Sequence, residues 1–205
     1  MIIQSDAIVL KRFPYGESSI ICRCFVKSIG KTSFIVHGAH RKKSSKAAYF
    51  QPGNCINIIL YYKENRDLQT ISKTSFLKNW RQIPNDLKKI AYTMAVIELT
   101  DKCISENDKH KDLFIILLNV LEKIEKEPAK LNLIYWYYQY QLLEQLGFKP
   151  DFDQSELDFI PLPNPYKSPN SKMVFDYFES GEMGINKNIS LLKNDRKIIS
   201  HYLNT

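Results

Sequence analysis

The sequence predicts an α+β chain, a small five-stranded β-barrel over residues 1–80 followed by an α-helical bundle over residues 81–150. Three observations point there. Short stretches rich in β-branched and aromatic residues alternate apolar and polar up to about Trp80; after Pro84 the apolar residues recur at three and four; and the excess positive charge sits wholly in the first part. Residues 151–205 read as a proline-rich connector, a short strand and a terminal helix packing on the helical part. With 205 residues, 44% of them hydrophobic and 25% charged, the chain has the composition of an ordinary globular protein long enough to bury a core.

Five strands are expected, over Ile2 to Phe13, Ser19 to Lys27, Lys31 to His37, Cys55 to Tyr62 and Leu68 to Phe76. Alternation of Ile21, Arg23 and Phe25 against Cys22, Cys24 and Val26 gives the second strand one wet and one buried face. Turn residues separate the strands at Pro14 to Glu17, Gly30, Gly38 to Lys46, Pro52 to Asn54 and Glu64 to Asp67. Five strands in about 80 residues suit an OB-type barrel, which hides its edges by closing on itself; an SH3-like barrel fits the same pattern.

The helical part opens with a stripe of Leu87, Ile90, Ala91, Met94 and Ile97, preceded by Asp86 at the positive end of the helix dipole. A second stripe is Leu113, Ile116, Leu117, Val120, Leu121 and Ile124. A third helix, opened by Pro128, carries Leu131, Ile134, Tyr135, Tyr138, Leu142 and Leu146 and stops at Gly147. These three are expected to pack as an antiparallel bundle. Prolines 161, 163, 165 and 169 make residues 151–170 an extended connector; a strand at Met173 to Phe178 and a helix over Ile189 to Leu203 follow, the latter facing Leu191, Leu192, Ile198, Ile199 and Tyr202 inward.

The formal charge is +7, but residues 1–80 hold thirteen Lys and Arg against four acids, +9, so the rest is −2. One part of the chain is suited to a polyanion and the other is not. Catalytic signatures are missing. Gly30-Lys31-Thr32 resembles the end of a phosphate-binding loop, yet Phe25 stands where the first glycine is needed, and a hairpin turn explains the run. Cys22 and Cys24 lack a second pair at zinc-ligand spacing and read as buried thiols; His37 and His40 extend a cationic loop; Glu98, Asp101 and Glu106 read as solvated helix carboxylates. No metal and no catalytic residue is expected. The segment from Gly38 to Lys46, with Arg41, Lys42, Lys43, Ser44 and Ser45, combines cations with hydroxyl donors and is suited to phosphate oxygens. The candidate DNA-binding residues are Lys11, Arg12, Arg23, Lys31, Arg41, Lys42, Lys43, Lys46, Lys63 and Arg66. Tyr15, Tyr49, Tyr61 and Tyr62 are candidates for stacking on bases; Tyr61 and Tyr62 point to opposite faces, so one of them is exposed.

Several motifs in order resemble the bacterial RecO family: Ile8-Val9-Leu10, Tyr15-Gly16-Glu17-Ser18-Ser19-Ile20, Phe25 with Gly30, His37-Gly38-Ala39 before the basic run, Phe50-Gln51-Pro52, Tyr62-Lys63-Glu64-Asn65 with Leu68-Gln69, and Leu146-Gly147-Phe148-Lys149-Pro150. The resemblance covers about residues 1–150. It implies an OB-fold followed by a helical domain and a non-enzymatic mediator. Such a protein binds single- and double-stranded DNA, anneals complementary strands, and acts with RecR to load RecA on DNA coated by single-strand-binding protein. Many members carry a four-cysteine zinc site after the Gly-Phe-x-Pro signature; residues 151–205 here hold no cysteine, so no zinc and no other cofactor is expected.

A second reading from another class is a protein-interaction adaptor whose helical domain docks acidic partner tails, such as the C-terminus of single-strand-binding protein, with Lys88, Lys89, Lys102, Lys109 and Lys111 as its cationic rim. A metal-dependent nuclease ranks third, since the four acids of residues 1–80 are scattered. No apolar run reaches the ~20 residues of a membrane helix, the N-terminus does not read as a signal peptide, and the four cysteines form no disulfide framework. A cytoplasmic, nucleoid-associated protein is expected.

Overall fold

The computed structural model describes residues 1–39, 45–148, 164, 167–184 and 189–204. Five strands, β1 (Ile2–Tyr15), β2 (Ser19–Val26), β3 (Gly30–Val36), β4 (Cys55–Tyr61) and β5 (Leu68–Phe76), close into a barrel in the order β1-β2-β3-β5-β4, with a single turn of helix, α1 (Lys46–Tyr49), before β4. This is the predicted OB arrangement. The fourteen-residue β1 serves both sides: its first half pairs antiparallel with β4, Ile2 opposite Tyr61, and its second half with β2, Tyr15 opposite Ser19. A bulge between Val9 and Lys11 lets the strand coil from one partner to the other.

Inside lie Ile3, Ala7 and Val9, then Ile20, Cys22, Cys24 and Val26, then Phe34, Ile56, Ile58 and Leu60. The inward set predicted for β2, Cys22, Cys24 and Val26, is the one observed, but of the face predicted to be wet Phe25 is buried and Ile21 and Arg23 are half-buried. Cys22, Cys24 and Cys55 are buried free thiols, with the first two sulfurs 3.5 Å apart. The hydrogen bond with Cys22, then burial, pushes the Cys24 thiol up; burial does the same to Cys55.

The barrel closes through a short parallel pairing, Ser33 to Ile35 of β3 beside Leu68 to Thr70 of β5. Further down, the connection between helices α2 (Leu87–Cys103) and α3 (Lys111–Lys126) takes the edge of β3: the Asn107 N–H donates to the Lys31 carbonyl at 2.9 Å, and Glu106 bridges Lys31. Gly30 makes this approach possible. Its φ is +84°, and a Cβ there would stand 2.2 Å from the Asp108 carbonyl oxygen.

Asp86 caps α2 by accepting from the Lys88 and Lys89 N–H groups. Its buried face is Lys89, Thr93, Val96, Ile97 and Thr100, which corrects the predicted stripe: of that set only Ile97 is buried, while Leu87, Ile90, Ala91 and Met94 are exposed. Close packing explains the reversal, since Thr93 lies against Gly53, where only a small side chain fits. In α3 the stripe holds, with Leu113, Leu117, Val120, Leu121 and Ile124 buried and Ile116 half-buried. Glu125 accepts from the backbone N–H groups of Arg81, Gln82 and Ile83 at 2.7, 2.8 and 2.9 Å, capping the short 3₁₀ turn Ile83–Asn85. Burial pushes this carboxyl up, but those hydrogen bonds outweigh it and hold it below the usual range.

Contacts divide the chain into two compact units, residues 1–126 and 127–205. The helices therefore do not gather as one three-helix bundle: α2 and α3 belong with the barrel, and α4 (Leu131–Gln145) belongs with α5 (Pro169–Glu179) and α6 (Lys193–Leu203). Gly147, at φ +83°, ends α4 as predicted. The strand predicted at Met173 to Phe178 is instead the body of α5, whose buried Val174, Phe175 and Phe178 follow helical spacing. The terminal helix begins at Lys193 rather than Ile189, and Leu192 is exposed. Most of the proline-rich connector, residues 151–163 and 165–166, lies outside the described residues.

Candidate nucleic-acid interface

The structure sorts the predicted cations into three sets. Lys63 and Arg66 form the first, exposed on the loop between β4 and β5. This loop, with Met1, lines a cavity of about 510 Å³ shared with Tyr62, Glu64 and Asn65. Its shape is held from below by Gln69, which is 2% exposed: the Gln69 side-chain oxygen accepts from the Lys63 N–H at 3.1 Å, and its amide donates to the Lys63 and Arg66 carbonyls at 2.7 and 2.6 Å. The Arg66 N–H in turn donates to the Lys63 carbonyl at 3.2 Å. A turn pinned by four hydrogen bonds presents two cations three residues apart.

Arg12 and Lys46, at the two described ends of the basic segment, form the second set with Lys11, the neighbour of Arg12 on β1. Arg12 donates to the Ala47 carbonyl at 3.4 Å, and Lys46 donates to the His37 carbonyl at 3.4 Å. Lys11 is exposed, with its ammonium 5.1 Å from the Phe13 ring centroid. Lys102, and to a lesser degree Lys11, hold the Glu98 carboxyl below its ordinary range. Arg41, Lys42 and Lys43, with His40 and Ser44, lie outside the described residues.

Arg23 and Lys31 form the third set and correct the prediction, for both serve the fold. Arg23 holds the Asp101 carboxylate with two hydrogen bonds of 2.9 and 3.0 Å, and Lys31, 8% exposed, donates to the Asp101 carbonyl at 2.9 Å. Asp101 is thus no solvated helix carboxylate; its side chain is 11% exposed. Beside them Phe25 packs edge-on against Phe114, ring centroids 5.6 Å apart. OB-folds commonly use the outer face of strands 2 and 3 for ligands, and here α2 and α3 cover much of that face.

Among the stacking candidates Tyr61 is 60% exposed and Tyr15 51% exposed, whereas Tyr62 packs on the barrel core and Tyr49 lies against Phe76 at 4.5 Å. The exposed member of the Tyr61-Tyr62 pair is Tyr61. The proposed rim of the helical part does not assemble as expected. Lys89 is buried, its ammonium donating to the Glu125 carbonyl at 2.6 Å, and Lys102 pairs with Glu98 at 2.8 Å; Lys88, Lys109 and Lys111 are exposed.

Sequence reasoning missed Gln69, Asp101 and Glu125. Each acts through backbone groups or a partner distant in sequence, Arg23 and Asp101 being 78 residues apart. The one available signal was the placement of Leu68-Gln69 directly after a basic turn.

Comparison with known families agrees with this architecture. Residues 1–80 match the model described as Recombination protein O N terminal, and residues 84–186 match Recombination protein O C terminal. Proteins named DNA repair protein RecO are similar to the chain. That of Salinibacter ruber is 30% identical over 159 residues, 78% of this chain and 61% of that protein; that of Chlorobium limicola is 30% identical over 162 residues, 79% and 62%. A third, from Chlorobium phaeobacteroides, is 26% identical over 200 residues, 98% of this chain and 77% of that protein. The chain thus spans about three fifths of the length of the first two relatives. With both family models matched in order, onto the barrel and onto the helices that follow it, the chain belongs to the RecO family.

Proposed function

We propose that this chain is a non-enzymatic mediator of recombinational DNA repair that binds single- and double-stranded DNA through its N-terminal barrel and anneals complementary strands. In this reading residues 1–80 are the DNA-binding domain, and residues 81–150 with residues 151–205 form the helical part. With RecR it helps load RecA on DNA coated by single-strand-binding protein, whose C-terminal tail it contacts, and it works in the cytoplasm at the nucleoid. Among the described residues no helix is long and apolar enough to cross a membrane.

The observation that carries this reading is the exposed pair Lys63 and Arg66 on a turn fixed by Gln69, together with Arg12 and Lys46 at the described ends of the basic segment and the exposed Lys11 on β1. Cations held in fixed positions neutralise phosphates at a smaller ordering cost, and phosphate contact lets two strands approach while base pairing reads the sequence. Tyr15 and Tyr61 offer sequence-tolerant stacking surfaces.

Titration of the full chain with a fluorescent oligonucleotide across a salt series tests the reading. Affinity should fall steeply as salt rises, and complementary oligonucleotides should anneal faster with the protein and without ATP. A flat salt response sinks it. Replacing Arg41, Lys42 and Lys43 with Ala should abolish annealing; an adaptor would keep its partners and its cellular function.

A further inference from the structure

The second compact unit carries its own basic groove. Trp136 of α4 lines it together with Lys193, Arg196, Lys197, Ser200, His201 and Asn204 of α6 and its end, around an open, mostly apolar depression of about 700 Å³. Lys193, Lys197 and His201 follow one another at four-residue steps, about 6 Å each along the axis, with Arg196 beside them; all four are exposed. Among the described residues no carboxylate lines the groove. The one acid of α6, Asp195, is turned inward, where it accepts from the Ser168 hydroxyl, the Asn170 amide at 3.0 Å and the Leu192 N–H at 2.8 Å. Sequestering that charge leaves Lys193, Arg196 and Lys197 as the charged side chains of the described outer face of α6. General basicity does not account for it, since residues 127–205 hold eight Lys and Arg against ten acids.

We propose that this groove is a second nucleic-acid site, holding the backbone of a single strand. It rests on the reading that the chain binds DNA and adds a site on a unit to which that reading assigned none. Lys193 and Lys197, about one turn apart with Arg196 beside them, suit a polymer with one charge per repeat. The flanking Ser200 and Asn204 supply the short-range polar contacts that phosphates and sugars take, and the Trp136 edge with the lysine stems gives an apolar bed for a base. Two DNA sites on one chain bring two strands together, which annealing requires.

The test uses the full chain and a labelled single-stranded oligonucleotide. Lys193→Ala/Lys197→Ala removes two exposed side chains. It should weaken binding roughly tenfold at low salt and reduce the slope of log affinity against log salt by about 1.4, at ~0.7 per phosphate of a single strand. Lys167→Ala, an exposed cation outside the groove, should change neither. Photocrosslinking of an iodouracil oligonucleotide to the unaltered protein should label the α6 peptide or Trp136. If the double variant matches Lys167→Ala while Lys63→Ala/Arg66→Ala loses affinity, the groove is not a DNA site and the barrel reading stands. If the unaltered chain binds no oligonucleotide, both readings fall. If the double variant loses an acidic peptide and keeps DNA, the groove belongs to a protein partner and the proposal is overturned.

Discussion

Two faces of one barrel use the same kind of residue for opposite ends. On β2 and β3, Arg23 and Lys31 converge on Asp101 and fasten α2 to the barrel; on the turn after β4, Lys63 and Arg66 project into solvent over a buried Gln69. In sequence the four are indistinguishable cations on alternating or turn segments. The difference lies in what approaches each face, a helix bringing a carboxylate in one case and water in the other. A basic patch counted from sequence thus overstates the surface offered to a ligand.

The largest effect expected from breaking this contrast is at Gly30. Gly30→Ala should cost about 3 kcal/mol in urea denaturation, because it strains a positive φ and drives a methyl group into the Asp108 backbone, unseating the α2–α3 connection. Gly16→Ala, with positive φ but no neighbour within 4 Å, should cost only ~1 kcal/mol. Next, Asp101→Asn should destabilise the chain by about 2 kcal/mol, between the values for exposed and fully buried pairs, and leave the salt dependence of DNA binding unchanged. Lys63→Ala or Arg66→Ala should do the reverse, with stability kept and the salt slope reduced by about 0.7 each.

A smaller effect is expected at Gln69. Gln69→Leu keeps the volume but leaves the Lys63 N–H and two carbonyls without their buried partner, so exchange of the Lys63 amide should quicken and DNA affinity should fall about threefold, with Lys63 and Arg66 both present. Smallest is a pH effect in the second unit. The Ser168 hydroxyl first, then the Asn170 and Leu192 groups, hold the Asp195 carboxyl below its ordinary range against the opposing effect of burial. Its contribution is therefore complete above the unfolded value of about 3.9 and lost as pH falls through the lower folded value. The stability gap between the unaltered chain and Asp195→Asn should be full at neutral pH and close below about pH 4.

What was legible in the sequence was what local periodicity encodes. The five strands, the inward set Cys22, Cys24 and Val26, the α3 stripe and the stop at Gly147 all depend on neighbours within a few residues. The α2 face was misread because an apolar count pointed to Leu87, Ile90 and Met94, whereas packing against Gly53 selected the small Thr93. At Met173 to Phe178 a run of β-prone residues hid helical spacing, and Pro169 at the start marked the helix instead. Of the candidate site, Lys63, Arg66, Lys11 and Lys46 are exposed and Arg12 is half-buried, while Arg23 and Lys31 are engaged with a partner no local pattern could reveal.

The pairing of Asn107 and Glu106 with Lys31 has a practical corollary. A fragment ending at residue 80, where the N-terminal family match ends, would leave the lower half of β3 as a bare ribbon rim and strip the cover from Phe25. Such a piece should self-associate edge to edge, whereas one continued to Lys126 keeps its own cover and is the smaller portion suited to isolation.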